Sequence, residues 1–144
     1  MKQKTFVIQS DPKNLKTLRK ELTGFLKKIH LPVKIQKEIL IAIGEACTNS
    51  IRHSYRGDSR KKIRVTVKNL DEKIVFKIRD YGRKINLSKV KTPELPPQTP
   101  GGLGIHLMKT IMDELKYNTG HAEGNELILA KYKKRKKQGE DHEH

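Results

Sequence analysis

Between Ile39 and Ile51, a chain that is 33% charged carries one charged side chain, Glu45. Pro32 opens this run, and Ile35, Ile39, Ala42, Ile43, Ala46 and Ile51 recur at the three- and four-residue steps of a single helical face. The spacing predicts a helix from Pro32 to about Ser54, buried along its isoleucine stripe. Cys47 falls inside it and reads as a small core residue rather than a nucleophile.

The remaining elements follow from their own periods. Phe6, Val7 and Ile8 make a short β-prone segment over Thr5–Gln9, stopped at Ser10-Asp11-Pro12. Ser10 or Asp11 can cap a following helix with proline at its first position. In that helix Leu15, Leu18, Leu22, Phe25, Leu26 and Ile29 share one face and leave Lys and Arg on the other, and Gly24 weakens it only slightly. After a turn at Gly57-Asp58, Ile63, Val65 and Val67 alternate with polar residues, as do Ile74, Phe76 and Ile78, which predicts an antiparallel hairpin. Four prolines between Lys84 and Pro100 predict a long loop. Ile105, Leu107, Met108, Ile111 and Met112 predict a helix after it, and two strands should follow around a turn at Gly120–Gly124. This order fits an α+β fold, a two-layer α/β sandwich with a mixed sheet covered on one face by helices. At 144 residues the chain suits one domain, 1–132, with a basic then acidic and histidine-containing tail over 133–144 expected to be disordered.

Charge narrows the partners. Thirty-two basic against sixteen acidic residues give +16, and six bases and three acids from Lys131 onward leave +13 on residues 1–130. Such an excess favours anionic ligands: nucleotide, nucleic acid, acidic protein or membrane. One cysteine excludes an intramolecular disulfide framework and a Cys-rich zinc site. His30, His53, His106 and His121 lack close ligand partners, and His142-Glu143-His144 sits in the tail, so no zinc site is expected. Nothing approaches the ~18–20 apolar residues of a membrane span, and the N-terminus lacks a signal-peptide core, so a soluble cytoplasmic protein is expected. With no Trp and seven aromatics there is no base-stacking platform, so nucleic acid is a weak expectation.

Three short segments carry chemistry. Glu45, Asn49 and His53, spaced by four, form a polar ridge opposite the isoleucine stripe. A carboxylate there can deprotonate a hydroxyl, and a carboxamide oxygen can ligate Mg²⁺; the same spacing also suits a solvated face with an i,i+4 hydrogen bond. Asp80-Tyr81-Gly82 ends the second hairpin strand, where an acid can accept from an exocyclic amine and glycine allows a tight turn. It also reads as an ordinary turn. Pro100-Gly101-Gly102-Leu103-Gly104-Ile105 runs a glycine-rich loop into a helix, where backbone N–H groups and the helix dipole suit phosphate. Those glycines could equally be hinges. No Lys-Ser or Lys-Thr follows, as a Walker A loop requires, and no strand precedes it, as in a Rossmann fingerprint.

In this order the segments resemble a known family. Glu45-Ala46-Cys47-Thr48-Asn49 through His53 is similar to the N box of the gyrase, heat-shock chaperone, histidine-kinase and mismatch-repair ATPase superfamily. Asp80-Tyr81-Gly82 is similar to its adenine-binding Asp-x-Gly box and Gly101–Gly104 to its second glycine box. Within it, Glu45 to Tyr55 and Gly101 to Asp113 resemble the small anti-sigma-factor serine kinases, the likeness spanning about Thr5 to Tyr132.

The resemblance implies a Bergerat-type ATP-binding fold. It also implies an ATP-dependent serine/threonine kinase that phosphorylates an anti-sigma-factor antagonist on serine and, in another state, sequesters a sigma factor; the subgroup commonly dimerises. It implies Glu45 as general base, Asn49 as ligand of Mg²⁺ on the ATP phosphates, Asp80 on the adenine amine with Gly82 beside it, and the Gly101, Gly102, Leu103, Gly104 and Ile105 backbone at the phosphates. An ATP lid would cover about 84–100, and His53 would be structural. Where the family has Gly-Thr before the last strand, this chain has Gly124-Asn125, and Asn125 would take the threonine's place near adenine. The alternative is a non-catalytic, ATP-gated protein-binding module.

Overall fold

The structure is a computed structural model that describes residues 2–85 and 102–134. A strand β1 (Gln3–Gln9) leads into helices α1 (Asn14–Lys28) and α2 (Val33–Asn49), and a π-helical turn (Ser50–Ser54) extends α2. The hairpin β2 (Lys62–Asn69) and β3 (Lys73–Asp80) follows, then helix α3 (Gly102–Ile111), β4 (Glu114–Tyr117) and β5 (Asn125–Tyr132). Every element expected within the described residues is present, including the two strands flanking Gly120–Gly124. The loop and lid expected over 84–100 lie outside the described residues beyond Ile85, as does the tail from residue 135.

The five strands form one sheet in the order β1-β2-β3-β5-β4. The expected sandwich and its single helical layer are borne out, but the sheet is not mixed: all four neighbouring pairs are antiparallel. The connection through α3 does bring β4 parallel to β3, but β5 turns back from β4 and inserts between them, removing the parallel contact.

One core joins the layers. Phe6, Ile63, Val65, Val67, Ile74, Phe76, Ile78, Leu127 and Leu129 on the inner side of the sheet meet Leu18, Leu22, Phe25 and Leu26 of α1, and Ile39, Ala42, Ile43 and Ala46 of α2. Met108 and Met112 complete it. Cys47 is buried here as expected, and burial pushes its thiol up to about 12.

The start of α1 departs from the sequence reading. Ser10 and Asp11 do not cap it: Lys13 is the N-cap and makes no side-chain bond. Ser10 Oγ instead donates to Asp58 O and accepts from Lys61 N, tying the end of β1 to the start of β2, while Asp11 Oδ1 accepts from Lys13 N. At the other end His30 takes φ 60°, with His30 N donating to Lys27 O and Leu31 N to Leu26 O. This closure satisfies the last carbonyls and more often uses glycine at the left-handed position.

Candidate functional site

The helix ending at Asn49 changes pitch at once. Tyr55 N donates to Ser50 O at 2.9 Å, five residues back. Such π turns are rare and cluster at functional sites, because the extra residue rotates the following side chains onto a different face. Ser54 and Tyr55, at the end of this turn, join Ser50 at its start against the end of β3.

Asp80, 1% exposed, lies at the centre of that contact. Its Oδ2 accepts from Ser50 Oγ at 2.8 Å, and its Oδ1 accepts from Gly82 N at 3.2 Å and Asn125 Nδ2 at 3.0 Å. A carboxylate offers about four lone-pair sites, so three donors leave room for one more. Asn125 does more than a threonine hydroxyl could. Its Nδ2 also donates to Ser54 Oγ and Arg83 O, and its Oδ1 accepts from Ile85 N at 2.8 Å. One buried carboxamide thus joins β5, the π turn and the chain leaving β3.

Two glycines allow these approaches. A Cβ at Gly82 would lie 2.4 Å from Ser54 O, and Arg83 N donates to that same carbonyl. Gly124 has φ 71°, and a Cβ there would lie 2.1 Å from Asp80 O. Tyr55 braces the outer side: its hydroxyl donates to Lys62 O and accepts from Tyr81 N at 2.7 Å. Burial is the largest influence on that phenol and raises its pKa.

Glu45 and Asn49 lie half-buried one turn apart on α2. Neither side chain makes a hydrogen bond among the described residues, so the i,i+4 bond of an ordinary solvated face is not formed. Gly104, in the first turn of α3, faces them: a Cβ there would lie 2.8 Å from Glu45 Oε1 and 3.5 Å from Asn49 Oδ1. The backbone of α3 therefore comes to the polar ridge at the helix end whose first four N–H groups lack intrahelical acceptors. Of the described residues, Gly102, Leu103 and Gly104 carry such groups, three of the five residues expected to face phosphate. The Ile105 side chain enters the core and its N–H falls past that first turn, while Gly101 lies outside the described residues.

His53 continues the ridge. Its Nε2 is buried without a partner among the described residues, and burial, then Arg52 and Arg83, hold its pKa below the ordinary histidine value. The sequence reading missed Ser50, Ser54 and Tyr55 as site residues. They read as the end of a regular helix, and the partners that make them site residues, Asp80, Tyr81 and Asn125, lie at least 26 residues away in sequence.

The resulting arrangement has a buried acceptor at one end and, beside a helix N-terminus at the other, an acid and an amide without side-chain partners among the described residues. The chain belongs to the family of the histidine kinase-like ATPase domain, whose profile matches residues 8–131. It is 27% identical over 134 residues to the serine-protein kinase RsbW of Bacillus velezensis, an alignment covering 87% of this chain and 82% of the relative. RsbW of Bacillus subtilis is 26% identical over the same shares, and RsbW of Listeria innocua 26% identical over 89% of this chain and 85% of the relative. These relatives bear out the resemblance to serine kinases drawn from the three boxes. The fold is shared with the RsbU and RsbW domains of a Mycobacterium tuberculosis protein, at TM-score 0.65 and 17% identity over 91% of this chain and 32% of that one. It is also shared with the histidine kinase domain of a blue-light-activated kinase from Erythrobacter litoralis, at TM-score 0.54 and 17% identity over 71% of this chain and 46% of that one. Among the described residues, no helix is long and apolar enough to cross a membrane, and no group of three or more His, Cys, Asp or Glu could hold a metal ion.

Proposed function

We propose that the chain is a cytoplasmic, ATP-dependent protein serine kinase of the anti-sigma type. Its acceptor would be a serine of an anti-sigma-factor antagonist, and its second partner a sigma factor. The observation that carries the reading is the approach of Gly104 to Glu45 and Asn49, which joins two boxes more than fifty residues apart in sequence.

Asp80 accepts the adenine amine in its remaining acceptor position, held in place by Ser50, Gly82 and Asn125. The first-turn amides of α3 face the phosphates, where the helix dipole favours negative charge. Asn49 offers an unpaired oxygen of the kind a hard cation takes, so the site fits Mg²⁺ on the phosphates, and that ion would offset their charge. Glu45, also unpaired, takes the proton of the acceptor hydroxyl as its oxygen bonds to the γ-phosphorus; the bond to the β-phosphate oxygen breaks and ADP leaves.

The test is transfer of label from γ-labelled ATP to the serine of a candidate antagonist. Glu45→Ala should abolish transfer and spare ATP binding, whereas Asn49→Ala should weaken the magnesium-dependent part of binding. Equal loss of nucleotide affinity in both variants would contradict these roles. ATP binding without transfer to any candidate would favour the non-catalytic module.

A further inference from the structure

The outer side of the sheet takes no part in the nucleotide site. Alternate strand residues point away from the helices, and the register aligns them in rows across the sheet. Lys62, Arg64, Lys68, Lys77 and Lys116 stand on this side with no side-chain hydrogen bond or salt bridge among the described residues. Its two strand carboxylates are already engaged, Glu114 by Lys73 and Tyr132, and Glu126 by His121 and Asn118, and they act at longer range on Lys116 and Lys77, which leaves Lys62, Arg64 and Lys68 with no strand carboxylate on this side that bonds or couples to them. Arg64 is paired across the ladder with Arg79, an arrangement of like charges that costs stability. Between the cations lie the half-buried Val75 and Ile128, and Val7 is 50% exposed on β1.

We propose that this face docks an acidic protein partner, its carboxylates meeting Lys62, Arg64 and Lys68 first, and Lys77 and Lys116 beside them, around apolar contacts to Val75 and Ile128. Apolar side chains within a charged rim have the composition of a protein interface. A second copy would set the same excess of cations against itself, which opposes self-association. Single-stranded nucleic acid binds on stacked aromatics, and the only aromatic among these outward strand positions is Tyr132, at the end of β5 with its hydroxyl bound to Glu114. The inference stands apart from the nucleotide reading, because Asp80 points to the opposite side of the sheet.

Fluorescence anisotropy on the full chain tests this with three labelled probes: a peptide of alternating glutamate and leucine pairs, polyglutamate of equal length, and a single-stranded oligonucleotide of equal charge. The glutamate–leucine peptide should bind more tightly than the other two and weaken on the order of tenfold from about 50 to about 300 mM salt. Lys62→Glu combined with Arg64→Glu and Lys77→Glu should cost it about tenfold or more, with ATP affinity unchanged. Amide shifts of the wild-type chain on adding the peptide should fall on β2 and β3, a readout that does not depend on the variant folding. Tighter binding of the oligonucleotide, undiminished peptide binding by the triple variant, shifts confined to α1, or a dimer that the triple variant separates would each overturn the proposal.

Discussion

The two ends of the candidate site are built in opposite ways. Around Asp80 nearly every polar atom is spoken for: three donors leave the carboxylate one acceptor position, Asn125 serves four partners, and Tyr55 bridges Lys62 and Tyr81. Around Glu45 and Asn49 the side chains are half-buried and, among the described residues, without hydrogen-bond partners, facing the backbone of Gly104. A filled network in a low-dielectric setting is rigid and selective, which suits recognition of one base edge. Unpaired groups cost stability where they stand and are free to meet charge that arrives with a ligand. The difference teaches that, under the proposed function, recognition of the base is built by folding, while the groups for transfer are left for the ligand to engage.

That contrast can be broken by measuring stability without any nucleotide. Gly124→Ala should have the largest effect, on the order of 3 kcal/mol in denaturant unfolding, because it adds both a left-handed alanine and a clash with the Asp80 backbone. An unchanged midpoint would mean that β5 is free to move away from Asp80. Asp80→Asn should cost about 1–3 kcal/mol by turning a donor NH2 toward donors that the carboxylate now satisfies, and should also weaken ATP binding; Tyr55→Phe should cost a similar or smaller amount. A loss of ATP affinity with full stability would show that the network forms only around the ligand.

A smaller effect belongs to His53. Its folded pKa lies below that of the unfolded chain, so the unfolded state binds more protons as pH falls through the ordinary histidine range. The wild-type chain should therefore lose stability from pH 7 toward pH 5, and His53→Gln should flatten that slope. An identical slope in the variant would place the acid sensitivity elsewhere. Smallest of all, Glu45→Gln should change apo stability by less than about 0.5 kcal/mol while transfer is lost. A large destabilisation there would erase the distinction between the two ends.

Much of this was readable before folding. The isoleucine stripe of α2, the alternation of β2 and β3 and the glycines before α3 each follow from a local period or a backbone requirement, and the three boxes named the site because their residue types are contiguous. Ser50, Ser54 and Tyr55 were not readable. Their spacing is that of a helix, and the groups they bond, on Asp80, Tyr81 and Asn125, lie at least 26 residues away in sequence. Nor could Ser10 be recognised as a tether between β1 and β2, since its helix-capping signature is genuine and the competing partner, Asp58, lies forty-eight residues away.

By itself, then, the sequence determined which segments are helices and strands, which faces they bury, and which residues are chemically able to bind nucleotide, because these depend on neighbours within a turn or two. Tertiary structure decided the antiparallel insertion of β5 between β3 and β4, the role of Asn125 as a junction, and the basic outer face. Each of these depends on the register between strands far apart in the chain, where a displacement of one residue would turn every side chain to the other side of the sheet.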